Sequence, residues 1–109
     1  MTLRNPAPLK YIPILPTDFA IVGGAAGFID TDCTSVIPLG ARIVVYKVYA
    51  GANQNTGSRA VGSAIDTKYN NVGSVWEEGI SDCAGDGHLE LYRGAANNTY
   101  KIMGYFANA

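Results

Sequence analysis

Short runs of alternating apolar and polar residues, separated by turns rich in glycine and asparagine, make up most of the sequence. The cleanest alternation spans residues 88–93, where Leu89 and Leu91 fall on one face and the flanking residues, Tyr92 among them, fall on the other. Because side chains alternate across a strand, this pattern predicts a half-buried β-strand with the two leucines facing inward.

The stretch from Arg42 to Ala50 is almost continuously apolar and follows a turn at Pro38 and Gly40. It is rich in β-branched and aromatic residues, which favour a strand over a helix. Alternation places Val44, Tyr46 and Val48 on one face and Ile43, Val45, Lys47 and Tyr49 on the other. We therefore predict a strand with both faces covered, one by the core and one by the N-terminal segment or another subunit.

Further strands are predicted at residues 59–63, 72–77 and 100–106. In the last of these, the alternation places Tyr100, Ile102 and Phe106 on one face. Closely spaced strands with Gly/Asn turns between them, and no helical apolar stripe with caps, are typical of an antiparallel β-sandwich. We assign residues 17–109 to one such all-β domain, since 109 residues is close to the usual size of a domain.

Residues 1–16 carry four of the five prolines. Proline removes a backbone donor and forces the preceding residue to be extended, so we predict an extended N-terminal arm with at most a short edge strand. The arm is nevertheless apolar, and that surface must be covered by its own domain or by a neighbouring subunit. The candidate contacts between subunits are Leu9, Tyr11, Ile12, Ile14 and Leu15.

Composition and charge argue against some classes of partner. The net charge of -1 argues against nucleic acid as a partner, because a nucleic-acid binder would show a basic stripe. No apolar run approaches the ~20 residues that cross a bilayer as a helix, so we expect no membrane partner. The first residues lack the pattern of an export signal, which predicts synthesis in the cytoplasm.

Candidate chemistry is sparse. The one histidine, His88, lies at an alternating strand position beside charged residues, and no nucleophile motif accompanies it. Two acidic pairs, Asp30 with Asp32 and Asp82 with Asp86, would raise a calcium hypothesis if they met, but aspartate is common in turns. We therefore predict a protein that is not an enzyme and that has no cofactor and no metal site.

Cys33 and Cys83 each stand alone in a loop-like stretch, which matches no zinc pattern. Two interpretations stay open. The cysteines are separate reduced thiols, as is usual without an export signal, or they form a disulfide that would contribute about 4 kcal/mol by closing a long loop.

Two segments together resemble a pattern found in small jelly-roll modules of phage and other virion proteins. The first, FIDTDCTSVIPLGARIVVYKV, has a polar lead-in, a P-x-G-A turn and a Val-rich strand; the second, HLELYRGAANNTYKIMGYF, ends in G-Y-F. The matching positions are Asp32, Ser35, Pro38, Gly40, Ala41, Gly104, Tyr105 and Phe106. The resemblance covers about Phe28 to Phe106 and concerns turns and strands, with no catalytic motif.

The resemblance implies a jelly-roll sandwich in a virion: a capsid decoration protein, a minor capsid protein or a tail-associated protein, for example of a bacteriophage. Its partners would be copies of itself or a capsid or tail protein, and it would be made in the host cytoplasm. The alternative function is a carbohydrate- or receptor-binding module, suggested by Trp76, Tyr69, Tyr92 and Asn-rich loops, with a glycan as the partner.

Overall fold

The computed structural model describes residues 8–108, and these residues form strands and loops only. The strands are β1 (Leu9–Ile21), β2 (Gly27–Asp32), β3 (Ile43–Ala50), β4 (Gln54–Thr56), β5 (Ser58–Ala60), β6 (Tyr69–Asn71), β7 (Trp76–Asp82), β8 (His88–Arg93) and β9 (Asn98–Asn108). The predicted all-β fold is confirmed. Over the same residues, no helix is present that could span a membrane.

Two antiparallel sheets pack against each other. Sheet 1 has the strand order β1-β9-β3-β7, sheet 2 has the order β2-β8-β5, and β4 pairs with β6 in a short ribbon. The antiparallel pairs β1–β9, β2–β8, β3–β7 and β4–β6 are nested, so that each pair encloses the next along the chain. Strands far apart in sequence therefore become neighbours, and the structure depends on long-range pairing.

The core lies between the inner faces of the two sheets. On β3 the inward side chains Val44, Tyr46 and Val48 are buried, and the alternate residues are half-buried, as the sequence predicts. Leu89 and Leu91 of β8 face them from sheet 2 and are fully buried. Both central strands thus obey the two-residue period, because each has one face turned to the core.

The last strand departs from the predicted period. Val45 is paired with Gly104, but Tyr46 is paired with Ile102, so one extra residue, Met103, forms an irregularity in β9. Such a bulge reverses the alternation. Ile102 keeps its buried position, whereas Phe106 pairs with Ile43 on the outer face, so the prediction that Phe106 shares a face with Tyr100 and Ile102 is wrong.

Two further predictions are corrected by neighbours that the local pattern does not show. Tyr92 was expected to face water, but it is buried because it packs edge-on against Phe28 and lies beneath the ammonium of Lys68. The strand predicted at residues 72–77 instead spans Trp76–Asp82, because residues 72–75 form the preceding turn.

Residues 9–16 of the predicted arm belong to β1, which is an edge strand of sheet 1. Leu9 to Pro13 pair with β9, the register then shifts, and pairing resumes at Thr17. The strand is longer than the short edge strand that the prolines suggested. The edge position explains why prolines are tolerated in this strand. At an edge, the backbone nitrogen of a proline, which has no hydrogen to donate, can face away from the neighbouring strand. Residues 1–7 of the arm lie outside the described residues.

Candidate functional site

The outer face of sheet 1 is divided into an apolar end and a charged end. Directly paired residues share a face, so the register places Tyr11, Phe106 and Ile43 in one row across β1, β9 and β3. The next row contains Pro13, Val45 and Ile80. We call these six residues together with Leu9 the apolar end of sheet 1.

Several side chains of the apolar end remain in contact with water. Ile80 is 71% exposed, Leu9 is 43% exposed and Tyr11 is 41% exposed, although Tyr11 also packs against the ring of Phe106 with centroids 5.1 Å apart. No other described element covers them, since the core lies on the opposite face of the sheet. An uncovered group of this kind on one face is typical of an interaction surface.

The five predicted contact residues of the arm are divided by the structure. Leu9 and Tyr11 lie in the apolar end, and Leu15 is 86% exposed at the register shift beside it. Ile12 and Ile14 are half-buried, and Ile14 packs against the core. The first three are therefore available to a neighbour, whereas Ile14 helps to hold β1 on its own domain.

The charged end of the same face satisfies its own groups. Lys101 lies between the carboxylate of Asp18, at 3.9 Å, and the ring of Trp76, with the ammonium 4.6 Å from the ring centroid. Trp76 also packs against Tyr49. Lys101 is therefore held within the chain, and the other charged groups of this end stay hydrated, so this end gains less from being covered than the apolar end does.

His88 joins three aspartates at the surface of sheet 2. Its Nδ1 lies 3.0 Å from Oδ1 of Asp30 and its Nε2 lies 3.8 Å from Oδ1 of Asp32, while its backbone N–H donates to Asp86. The hydrogen bond to Asp30 raises the pKa of His88, and the neighbouring carboxylates add to the effect. The hydrogen bonds that Asp32 accepts from Thr34 hold the pKa of Asp32 below its usual value.

The acidic residues of the calcium hypothesis do not all gather there, because Asp82 lies on β7 of sheet 1. In residues 8–108, no group of three or more His, Cys, Asp or Glu side chains is placed to hold a metal ion. The cluster around His88 instead forms an ion-pair network in which the histidine holds β8 to β2.

Cys33 and Cys83 lie in the same core cluster as free, buried thiols. Burial, with smaller contributions from Asp32, Cys83 and Asp30, raises the pKa of the Cys33 thiol to about 12. A protonated thiol is neither a good nucleophile nor readily oxidised, which suits a structural position. The two thiols are not bonded to each other in this structure, and the second interpretation of the sequence, a disulfide between them, stays a hypothesis.

The three aromatic residues behind the carbohydrate alternative lie in three different places. Trp76 is on the charged end of sheet 1 and Tyr92 is buried against sheet 2. Tyr69 is 69% exposed at a cleft between β5 and β7. They therefore form no common platform for a sugar ring, since stacking needs side chains on one surface.

Comparison with protein-family models found no match, and comparison with curated proteins and with solved structures found none either. The function is therefore argued from the surfaces described above.

Ile80 and Val45 are members of the apolar end that the sequence did not single out as contact residues. Both occupy ordinary strand positions, and their shared exposure follows from the pairing of β3 with β7. A weak signal was present, because the near-continuous apolar run at residues 42–50 predicted a second covered face on that strand.

Proposed function

We propose that this protein is a non-enzymatic structural component of a virus particle, with jelly-roll connectivity, that packs against copies of itself through the apolar end of sheet 1. The nested pairing of β1–β9, β2–β8, β3–β7 and β4–β6 supports the jelly-roll connectivity. A jelly roll is one long antiparallel hairpin folded over on itself, so that successive pairs alternate between two sheets.

The observation that carries the proposal is the apolar end itself. Ile80, Tyr11 and Leu9 are large side chains that project from one face of sheet 1. Burying such side chains contributes about 25 cal/mol per Å² of apolar surface. The apolar end can be buried only by another molecule, because the core of the chain packs on the opposite face of the sheet.

A second copy of the chain is the partner that fits best. The net charge of -1 gives little long-range repulsion between copies. The apolar end has one charged neighbour in its rows, Asp82, which pairs with Ile43 at the β7 edge of the sheet. Most soluble oligomers are built from identical subunits, in which one surface patch can meet its own copy across a two-fold axis.

Point variants test the interface better than deletion of residues 1–16, because the deletion would remove more than half of β1 and with it part of sheet 1. We expect the wild-type protein to self-associate in sedimentation equilibrium experiments. The double variant Tyr11→Lys/Ile80→Lys should raise the concentration for half-assembly at least about tenfold, since two desolvated ammonium groups oppose association.

The matched control is Val22→Lys/Val72→Lys, which introduces the same charges at apolar residues that are 72% and 57% exposed. Val22 follows the end of β1 that pairs with Asn98, and Val72 lies beside the bridge between Ala50 and Gly73, so both are at the opposite end of sheet 1 from the apolar end. This control should assemble like the wild type. A wild-type protein that stays monomeric at millimolar concentration, or a control that dissociates equally, would overturn the proposed interface.

The particle role needs a separate test. Electron microscopy of the source material, with antibody labelling against this chain, should place it on or in particles. A chain found only free in the lysate would contradict a virion role, whatever its oligomeric state.

A further inference from the structure

A cleft of about 540 Å³ opens on the side of the molecule opposite β1, where the two sheets end in the edge strands β7 and β5. Neither strand has a further pairing partner on that side in its sheet, so the cleft is flanked by two free strand edges. Free edges can accept an added strand from another chain. The cleft borders the apolar end of sheet 1, because Ile80 and Asp82 line it from the outer face of β7.

The cleft is acidic. Glu77, Glu78 and Asp82 line it from the β7 side. Among its described lining residues, Arg59 is the one cation, and its guanidinium is already engaged. Arg59 bonds Glu90 at 3.2 and 3.3 Å, donates to the carbonyl of Ile65 and lies 4.0 Å from the ring centroid of Phe28. Arg59 therefore neutralises none of the three acids of β7, of which Glu78 alone has a lysine, Lys47, directly opposite it on β3.

Two acceptors that line the cleft lack donors. Glu77 pairs with buried Val48 and so projects to the inner side of β7, and no hydrogen bond or ion pair reaches its carboxylate from residues 8–108. Asn71 is 1% exposed and donates from Nδ2 to the carbonyls of Val72 and Val75. Its Oδ1 has no partner, which is unusual for a buried polar atom.

An exposed ring completes the site. Tyr69 lines the mouth of the cleft, and deeper inside the hydroxyl of Tyr46 lies 2.9 Å from that of Ser58. A ring beside carboxylates attracts a cation through its face and can cover the alkyl stem of a long side chain. The acceptors without donors, the negative charge and the exposed ring all suit the same kind of ligand, a cationic side chain that donates hydrogen bonds.

We infer that this cleft binds a lysine or arginine side chain carried by an extended segment of a partner protein. The segment pairs its backbone with the free edge of β7, and its cationic group enters the cleft beside Glu77 and Tyr69. The backbone pairing supplies affinity, and the acidic cleft selects the side chain, as in other cases of strand addition. The inference does not depend on the self-association proposed above.

The test uses the full chain and the peptide acetyl-Thr-Lys-Thr-Lys-Thr-amide, with binding measured by calorimetry at low and at high salt. The wild-type protein should bind this peptide, bind the Glu-for-Lys peptide at least about tenfold more weakly, and lose affinity as salt rises. Spermidine, which has the charge without a peptide backbone, should bind at least about tenfold more weakly than the lysine peptide.

The diagnostic variant is Glu77→Gln, which keeps the shape of the side chain and removes its charge. We expect it to weaken peptide binding about tenfold while thermal unfolding stays within a few degrees of the wild type. Asp18→Asn is the matched control, because it removes one carboxylate on the charged end of sheet 1, away from the cleft, and should bind like the wild type.

Three results would overturn the inference. They are equal affinity for the lysine and glutamate peptides, equal affinity for spermidine and the lysine peptide, and equal loss in Glu77→Gln and Asp18→Asn. Binding of a neutral oligosaccharide that is insensitive to salt, without binding of the lysine peptide, would also overturn it and would assign the cleft to sugars.

Discussion

The two faces of sheet 1 carry apolar side chains in similar numbers but leave them in different surroundings. On the inner face, Val44 and Ile102 are fully buried against sheet 2. On the outer face, Val45 is half-buried and Ile80 is 71% exposed. The inner residues hold the two sheets together, whereas the outer residues contribute little until another surface covers them.

The polar groups differ between the faces in the same way. On the inner face, the Tyr100 hydroxyl accepts a hydrogen bond from the Gly57 N–H and donates one to the Tyr92 carbonyl, and burial raises the pKa of Tyr100. On the outer face, the Tyr11 hydroxyl donates a long 3.4 Å bond to Met103 and remains accessible to water. Replacing a tyrosine should therefore lower the free energy of unfolding much more on the inner face than on the outer face.

The largest difference in the free energy of unfolding is expected between variants of two isoleucines, one on each face of sheet 1. Ile102→Ala should lower the free energy of unfolding by about 2–5 kcal/mol, because it leaves a cavity in a fully buried site. Ile80→Ala, on the exposed face of the same sheet, should change it by less than about 0.5 kcal/mol at a concentration where the chain is monomeric. Denaturant unfolding measures both, and equal losses would show that the outer face is covered within one chain.

A smaller difference is expected for a matched tyrosine pair. Tyr100→Phe should cost about 1–3 kcal/mol, because the buried Gly57 N–H loses its acceptor. Tyr11→Phe should cost less than about 0.5 kcal/mol, since water replaces its long hydrogen bond. Denaturant unfolding measures both variants. A Tyr100→Phe protein as stable as the Tyr11→Phe protein would contradict the buried hydrogen bonds of the Tyr100 hydroxyl.

The smallest effect is expected at the surface of sheet 2, where His88 and Asp32 are hydrated. The raised pKa of His88 means that the folded state holds the proton more tightly than the unfolded state. Its stabilising contribution is therefore fully present below the unfolded pKa of about 6.5 and is lost as pH rises through the folded pKa. Asp32 acts in the opposite sense, because its pKa is lower in the folded protein than in the unfolded chain. Its contribution to the stability of the fold is fully present above the unfolded pKa of about 3.9 and is lost as pH falls through the folded pKa.

Proton NMR can follow this titration directly, since the chain has one histidine. We expect a His88 pKa above 6.5 in the wild type and a lower value in Asp30→Asn. Asp18→Asn, which removes a carboxylate on the other sheet, should leave the titration unchanged. An unaltered titration in Asp30→Asn would mean that the hydrogen bond between Asp30 and His88 does not form in solution.

The sequence predicted the interior of the sandwich better than its surfaces. The strands at residues 43–50 and 88–93 and their inward residues were predictable, because burial of one face imposes a two-residue period that can be read locally. The exposed contacts were predicted only in part. Leu9 and Tyr11 were identified, but Ile80 was not, since its exposure depends on which strands lie beside β7.

The cleft could not be predicted at all. Glu77 follows Trp76 in a stretch that looks like ordinary alternation, and Asn71 ends what looks like a simple turn. They line one space only because β7 and β5 are the last strands of their sheets on the same side. Edge position is a property of the sheet order, and the local pattern contains no information about it.

The sequence by itself determined that this chain forms strands and which side chains of the central strands face inward, because both follow from alternation and β-propensity. The tertiary structure alone decided that the bulge at Met103 turns Phe106 outward and that β1 pairs with β9. The physical reason is that register, bulges and sheet order depend on residues about 90 positions apart, whose contacts no local pattern records.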